Sequence, residues 1–408
     1  MNKKITAYIL VAIMLISAMA GLASIQGNTP LSNAQAPAAS GSAINHSNLT
    51  APYYFQVAGS FAVGANPWGA AYDSSNGYIY ITNYGSDNIS VINGSTNALV
   101  TTISTSGSAK GIIYDPSNNY VYVSEYGDSY IGVINTSTND LTQIGSSNPT
   151  GLTYDSSNGY VYAAGGSGDV YAYNSTSNVA TISVGSASSP YGIVYDPSNN
   201  YLYVADSASD QVSVINASDN TFLTNITVSE NPRLMAYDSS NGYVYVGDYY
   251  AGNVTIINGT TVKSNISFGT AYPPTGITYD PANGYIYVNI RTQGQVKVIN
   301  GTTAMATIAV GSHPWSSVYD PLNGYVYVDN RGSGSVSYIG EVPSVTNQNN
   351  VAVGATYSGL NVTSSMLGYS GKNGSNVSDA GVSLTVLGSD GCGEVFCVCC
   401  ICSYQCCA

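Results

Sequence analysis

Short apolar runs of period two alternate with Asn-, Ser- and Gly-rich breaks along most of the chain. Runs such as Tyr78-Ile79-Tyr80-Ile81 and Tyr120-Val121-Tyr122-Val123 combine aromatic and β-branched residues, which marks them as strands. One phrase organises them: YDSSNGYIY at Tyr72, YDPSNNYVY at Tyr114, YDSSNGYVY at Tyr154 and YDPSNNYLY at Tyr195. It returns as YDSSNGYVY at Tyr237, YDPANGYIY at Tyr279 and YDPLNGYVY at Tyr319. The Asp residues of these seven copies are spaced 42, 40, 41, 42, 42 and 40 residues apart. A repeat of that length built wholly of short strands predicts one propeller blade per copy. The fold class is therefore all-β, a seven-bladed β-propeller.

Each repeat resolves into four strands, A to D. In the second copy these are Gly111–Tyr114, Tyr120–Ser124, Ile131–Asn135 and Leu141–Ile144, with Asp115-Pro116-Ser117-Asn118-Asn119 as turn chemistry between A and B. The seventh copy has A (317–319), B (325–328) and C (335–339), then runs into Glu341-Val342-Pro343 without a strand D. Residues 57–64 (VAGSFAVG) align with other D strands, Phe61 and Val63 taking the places of Ile308 and Val310. The N-terminal strand is thus expected to close the ring, removing two exposed sheet edges. Three Tyr per repeat supply 21 of the chain's 37, and their alternation with β-branched residues reads as inter-blade core.

Outside 53–343 the composition changes. Residues 1–23 read as a secretory signal, with Lys3 and Lys4 ahead of an apolar run and the small residues Ala18 and Ala20; an uncleaved anchor is the other reading. Residues 24–52 read as a linker, and residues 344–391 as a Ser/Thr/Asn/Gly-rich, weakly structured extension with a hairpin signal at 381–387. All seven Cys fall in 392–408: Cys392, Cys397, Cys399, Cys400, Cys402, Cys406 and Cys407. An odd number in an exported chain leaves a thiol free or paired between molecules, while a frameshift fits the tail equally well.

Only 8% of residues are charged, and the formal net charge is −13; loss of Lys3 and Lys4 would make it −15. That balance argues against nucleic acid as a partner. It also avoids reliance on ionised carboxylate pairs, which suits an acidic habitat.

The phrase Tyr80-Ile81-Thr82-Asn83, followed by Gly85-Ser86-Asp87-Asn88-Ile89-Ser90-Val91-Ile92-Asn93, resembles the YVTN β-propeller repeat, and the resemblance extends over about 290 residues. It implies a secreted or surface-layer protein of archaeal type and says little about activity. The departures are the Tyr before each Asp, the third copy's Ala163-Ala164-Gly165 and the Cys tail.

The two propeller faces carry different chemistry. The A–B/C–D face is nearly uniform, and an Asn closing strand C begins a glycosylation sequon in six copies: Asn93, Asn135, Asn174, Asn216, Asn258 and Asn300. Turn chemistry explains the same Asn residues. The repeat Asp residues read as turn caps rather than a calcium ring. The D–A/B–C face varies between copies, as a recognition surface does. After strand B come Tyr84, Tyr126, Gly166, Ser207, Tyr249, Arg291 and Arg331; entering strand A come Trp68, Lys110, Thr150, Tyr191, Arg233, Thr275 and Trp315. Trp68, Tyr84, Tyr126, Arg233, Tyr249, Arg291, Trp315 and Arg331 are the expected ligand contacts, suited to sugars and acidic groups.

Catalysis has little support: His313 stands alone in the propeller, and Glu125, Asp128, Asp206 and Asp248 scatter over the B–C loops. No cofactor, metal site or catalytic set is expected. The expected function is a binding or structural module of the cell envelope, with glycans or surface-layer proteins as partners. A hydrolase or lyase acting through the variable face is the alternative.

Overall fold

The computed structural model describes residues 53–185 and 189–343, together with three strands near the C-terminus. The expected signal, linker and most of the Cys tail lie outside the described residues. Seven four-stranded antiparallel sheets form the blades of a propeller. Blade 1 comprises strands Pro67–Asp73 (A), Tyr78–Asn83 (B), Asn88–Asn93 (C) and Ala98–Ser104 (D). Blades 2 to 6 repeat this order, and the A strands sit innermost, each beside the next, with that of blade 7 against that of blade 1. Strands extend one to four residues beyond the expected bounds; strand A of blade 2 is Ala109–Asp115.

Blade 7 is assembled from both ends of the propeller. Its strands A, B and C are Pro314–Asp320, Tyr325–Asn330 and Ser335–Pro343, and the fourth is Tyr53–Ala62. Phe61 pairs with Val336, as Ile308 pairs with Val296 in blade 6, and the Val63 amide donates to Gly334 as that of Val310 does to Gly294. The expected closure and its register both hold. Strand C, by contrast, does not stop near 339 but runs on through Pro343, paired there with Tyr53.

The residues of the repeated phrase account for both turn and core. One oxygen of each repeat Asp accepts from the amide two residues on, as Asp73 does from Ser75 at 2.8 Å, and this recurs in all seven blades. The residue ending the turn has positive φ, which explains the Gly or Asn found there: Gly77 at 74°, Asn119 at 60°. Each blade seam then holds its own apolar cluster. At the closing seam Ile79, Ile81 and Ile92 of blade 1 meet Tyr327 and Val336 of blade 7, with Phe61 packed against them. The second Tyr of each Tyr-x-Tyr is buried, and most use the hydroxyl to reach the next blade. Tyr203 donates to Gly259 O at 3.0 Å and Tyr245 to Gly301 O at 2.9 Å.

Near the C-terminus, Ser383–Ser389 pairs antiparallel with both Thr356–Ser358 and Val395–Cys400. The expected hairpin is thus a three-stranded sheet.

Candidate functional site

Every strand A carries a register shift against strand B near its start, as between Pro67 and Gly69, Ala109 and Ile112, or Pro314 and Ser317. Such irregularities re-aim a side chain, and the second residue of each strand A sits at this point. Glycine follows in five blades because the neighbouring blade's backbone comes so close: a Cβ at Gly111 would lie 2.2 Å from Thr150 O. The A strands therefore crowd at the axis, and their second residues meet around the channel mouth on the D–A/B–C face.

There the structure brings together all eight expected contact residues. The rings of Trp68 and Trp315 lie 4.5 Å apart, centroid to centroid, and Trp68 is 5.1 Å from Tyr84. The Arg331 guanidinium lies 4.4 Å from the Trp68 ring and 4.9 Å from that of Trp315. Arg233 stacks 3.9 Å over Tyr249, whose hydroxyl accepts a 2.8 Å hydrogen bond from Arg291. Tyr126 faces the ammonium of Lys110 at 3.1 Å.

Lys110 and Tyr191 belong to this site although they are not among the expected contacts. Both occupy the same strand-A position as Trp68 and Arg233, and that equivalence was the available signal. Burial, then the charges of Arg331 and Arg233, lower the Lys110 pKa to about 8. Burial raises the Tyr191 phenol to about 12, against the pull of the same two arginines. Arg331 is lowered by burial and then by Arg291. The leading influences on Lys110 and Arg331 include no carboxylate. Two donors are also left over: the buried Trp315 Nε1 and Arg291 Nε have no hydrogen-bond acceptor.

The carboxylates expected on the recognition face mostly turn elsewhere. Glu125, Asp206 and Asp248 end their B strands buried. Ser213 donates to Asp206 and Thr255 to Asp248, both at 2.5 Å, while Ser106 and Gln143 donate to Glu125. Asn83 and Asn330 hold the same position in blades 1 and 7 and instead donate to Ser90 and Ser337. These are blade-building groups in which acid and amide interchange. Burial nevertheless raises Asp248 to about 7. Asp128 is exposed in its turn, and His313 is exposed with Nδ1 3.0 Å from Ser312 Oγ.

One acid stands apart. Asp329 takes the place held by Thr82 and Ser124, whose hydroxyls donate to Lys110 O and Thr150 O of the following blade at 2.7 and 2.6 Å. The Asp329 carboxyl is wholly buried with neither oxygen partnered, and burial raises its pKa well above the usual range.

Beneath the mouth lies a cavity of about 140 Å³. Trp68, Lys110, Thr150 and Tyr191 form its rim, and Ile112, Leu152, Ile193, Met235 and Ile277 line it further in. On the opposite face, Asn93, Asn135 and Asn216 use Oδ1 to accept backbone amides of their own turns. Asn174, Asn258 and Asn300 are exposed.

Residues 165–251, about a fifth of the chain, match the Arylesterase family profile. No curated protein matches the sequence. Three solved propellers share the fold. A structure titled streptogramin B lyase has a TM-score of 0.63 at 14% identity, covering 71% of this chain and 98% of its own. Hydrazine synthase of Kuenenia stuttgartiensis has a TM-score of 0.61 at 16% identity, covering 69% and 96%. The Cps50 (Swd1) β-propeller domain of Myceliophteria thermophila has a TM-score of 0.61 at 7% identity, covering 71% and 99%.

Proposed function

We propose that this propeller is an exported binding module of the cell envelope that captures an anionic group at its axial mouth. The observation that carries the reading is the set of four cations, Lys110, Arg233, Arg291 and Arg331, gathered among aromatic rings with unused donors at Trp315 Nε1 and Arg291 Nε. An anion would accept from the ammonium and guanidinium groups and relieve the repulsion among the cations. The aromatic planes of Trp68, Tyr84 and Tyr249 add stacking surface. Acidic glycans and acidic segments of surface-layer proteins present such groups, and the YVTN-type repeat pattern favours that setting. On the opposite face, glycosylation at Asn93, Asn135, Asn174, Asn216, Asn258 and Asn300 belongs to the same proposal, as do intermolecular disulfides through the C-terminal cysteines.

Binding of the purified full chain to acidic and neutral glycans tests it. The expected result is salt-sensitive retention of acidic glycans, lost in Arg331→Ala and Trp68→Ala variants that keep the native circular dichroism. Equal retention of neutral glycans, or retention indifferent to salt, would contradict it.

A second reading is an esterase, favoured by the Arylesterase match, whose segment contributes Tyr191, Arg233 and Tyr249 to the mouth. Hydrolysis of phenyl acetate that Arg233→Ala abolishes would support it.

A further inference from the structure

Resting on that anion-binding reading, we infer that the ligand is a small carboxylate with a single apolar ring, its ring in the axial cavity and its acidic head among the rim cations. The rim and the interior of this cavity differ sharply. At the rim stand Lys110 and Tyr191, with Arg233 and Arg331 close above them. Two residues further along the same strands, roughly 7 Å deeper at 3.3 Å per residue, the side chains are those of Ala70, Ile112, Leu152, Ile193, Met235 and Ile277. Below the rim the single side-chain heteroatom able to hydrogen-bond among the lining residues is the Ser316 hydroxyl. Thr150 commits its own hydroxyl to Ala164 O and Pro190 O, and Thr82 and Ser124 occupy the carbonyls of Lys110 and Thr150.

The side chains below the rim offer a sugar ring's hydroxyls one partner, Ser316, so such a ring would depend for the rest on the backbone groups of the inner A-strand edges. A hydrocarbon ring has no such requirement. The volume also fits: about 140 Å³ is close to the roughly 150 Å³ of an apolar cavity known to take up benzene. A ring seated there places a carboxylate attached to it at the level of the rim, where Lys110 lines the cavity and the Arg233 guanidinium stands 5.2 Å from the Tyr191 ring. Recognition of head and body is thus divided between two layers of the same strands.

The test uses intrinsic fluorescence of the full chain, because both of its Trp residues, Trp68 and Trp315, stand at this mouth. Benzoate, cyclohexanecarboxylate, glucuronate, inorganic sulfate and benzyl alcohol are titrated in turn. The two ring acids are expected to bind at least about ten-fold more tightly than glucuronate, a difference of about 1.4 kcal/mol. Glucuronate binding as tightly as benzoate overturns the apolar-ring assignment and leaves the anion reading standing. Benzyl alcohol matching benzoate, or no response to any anion, overturns the anion reading and this inference with it. An Ala70→Leu variant, which fills the cavity, should lose benzoate and keep sulfate. If that variant does not fold, the affinity ratio on the native chain decides alone.

Discussion

The hydroxyl of Tyr327 donates a 2.7 Å hydrogen bond to Oδ1 of Asn97, a residue 230 positions earlier in the chain. The same link recurs inside the ring, where Tyr162 reaches Asn220 at 2.8 Å. Between blade 7 and blade 1 it spans the whole propeller. Replacing Tyr327 by Phe should therefore lower stability by about 1 kcal/mol, the usual worth of a buried hydrogen bond. Urea unfolding measures this, and a midpoint equal to that of the parent would mean the link adds nothing to closure.

Phe61 provides the apolar half of the same closure, with its ring 6.4 Å from that of Tyr338 and 6.3 Å from that of Tyr327. Phe61→Asp removes a contribution of about 1.5–3 kcal/mol and sets a carboxylate beside two phenols. A clear drop in melting temperature is expected by circular dichroism. An unchanged melting temperature would show that the N-terminal strand does not hold the ring shut.

Stability should rise as pH falls from 7 towards 4. Asp248 is raised to about 7 from 3.8, and Asp329 is raised well above 3.8, both first by burial. In each case the folded chain keeps its proton where the unfolded chain has lost it. The stabilisation is full below the unfolded pKa and is lost as pH climbs through the folded one. Asp248→Asn copies blades 1 and 7, and Asp329→Ser copies blade 2. Both should raise the melting temperature at pH 7 and change it little at pH 4. A lower melting temperature at pH 7 in both variants would refute the assignment of these acids as buried burdens.

Anion binding should weaken above pH 8. Lys110 is charged below its pKa of about 8 and neutral above it, so one rim cation disappears over that range. The Kd for benzoate should rise between pH 7 and pH 9 in the parent, whereas Lys110→Met should bind more weakly at pH 7 and show little further change. A parent Kd that stays flat across this range would remove Lys110 from the site.

The repeat made the blades legible because each piece of local chemistry is self-contained. Asp73 and Gly77 specify a turn wherever they stand, and the alignment of Phe61 with Ile308 fixed which strand closes the ring. The variable face was legible as a set of equivalent positions. What the repeat could not convey was the direction of side chains at a register shift. Lys110 was legible only as the counterpart of Trp68 and Arg233; the irregularity at Ala109/Ile112 and the narrow packing at Gly111 turn it into the mouth. Glu125, Asp206 and Asp248 mislead in the opposite sense: each adjoins a loop on the recognition face, and each turns back to hydrogen-bond to its own sheet, Glu125 also to Ser106 of the preceding loop. Asp329 departs from the uncharged residues of its position, which run from Gly247 and Ala164 to Thr82 and Asn289, but burial alone makes that departure matter.

The pairing of Tyr53 with Pro343 has a mechanical consequence. Ala62 and Ser335 lie at the mouth end of blade 7, so Tyr53 and Pro343 lie at the other end, and both extensions of the chain depart from there. A pull on the N-terminal extension along the strand would load its ladder with Ser335–Pro343 in shear, engaging the paired residues together instead of unzipping them one at a time. The strand that completes the ring is also the one that would bear the strain of anchorage.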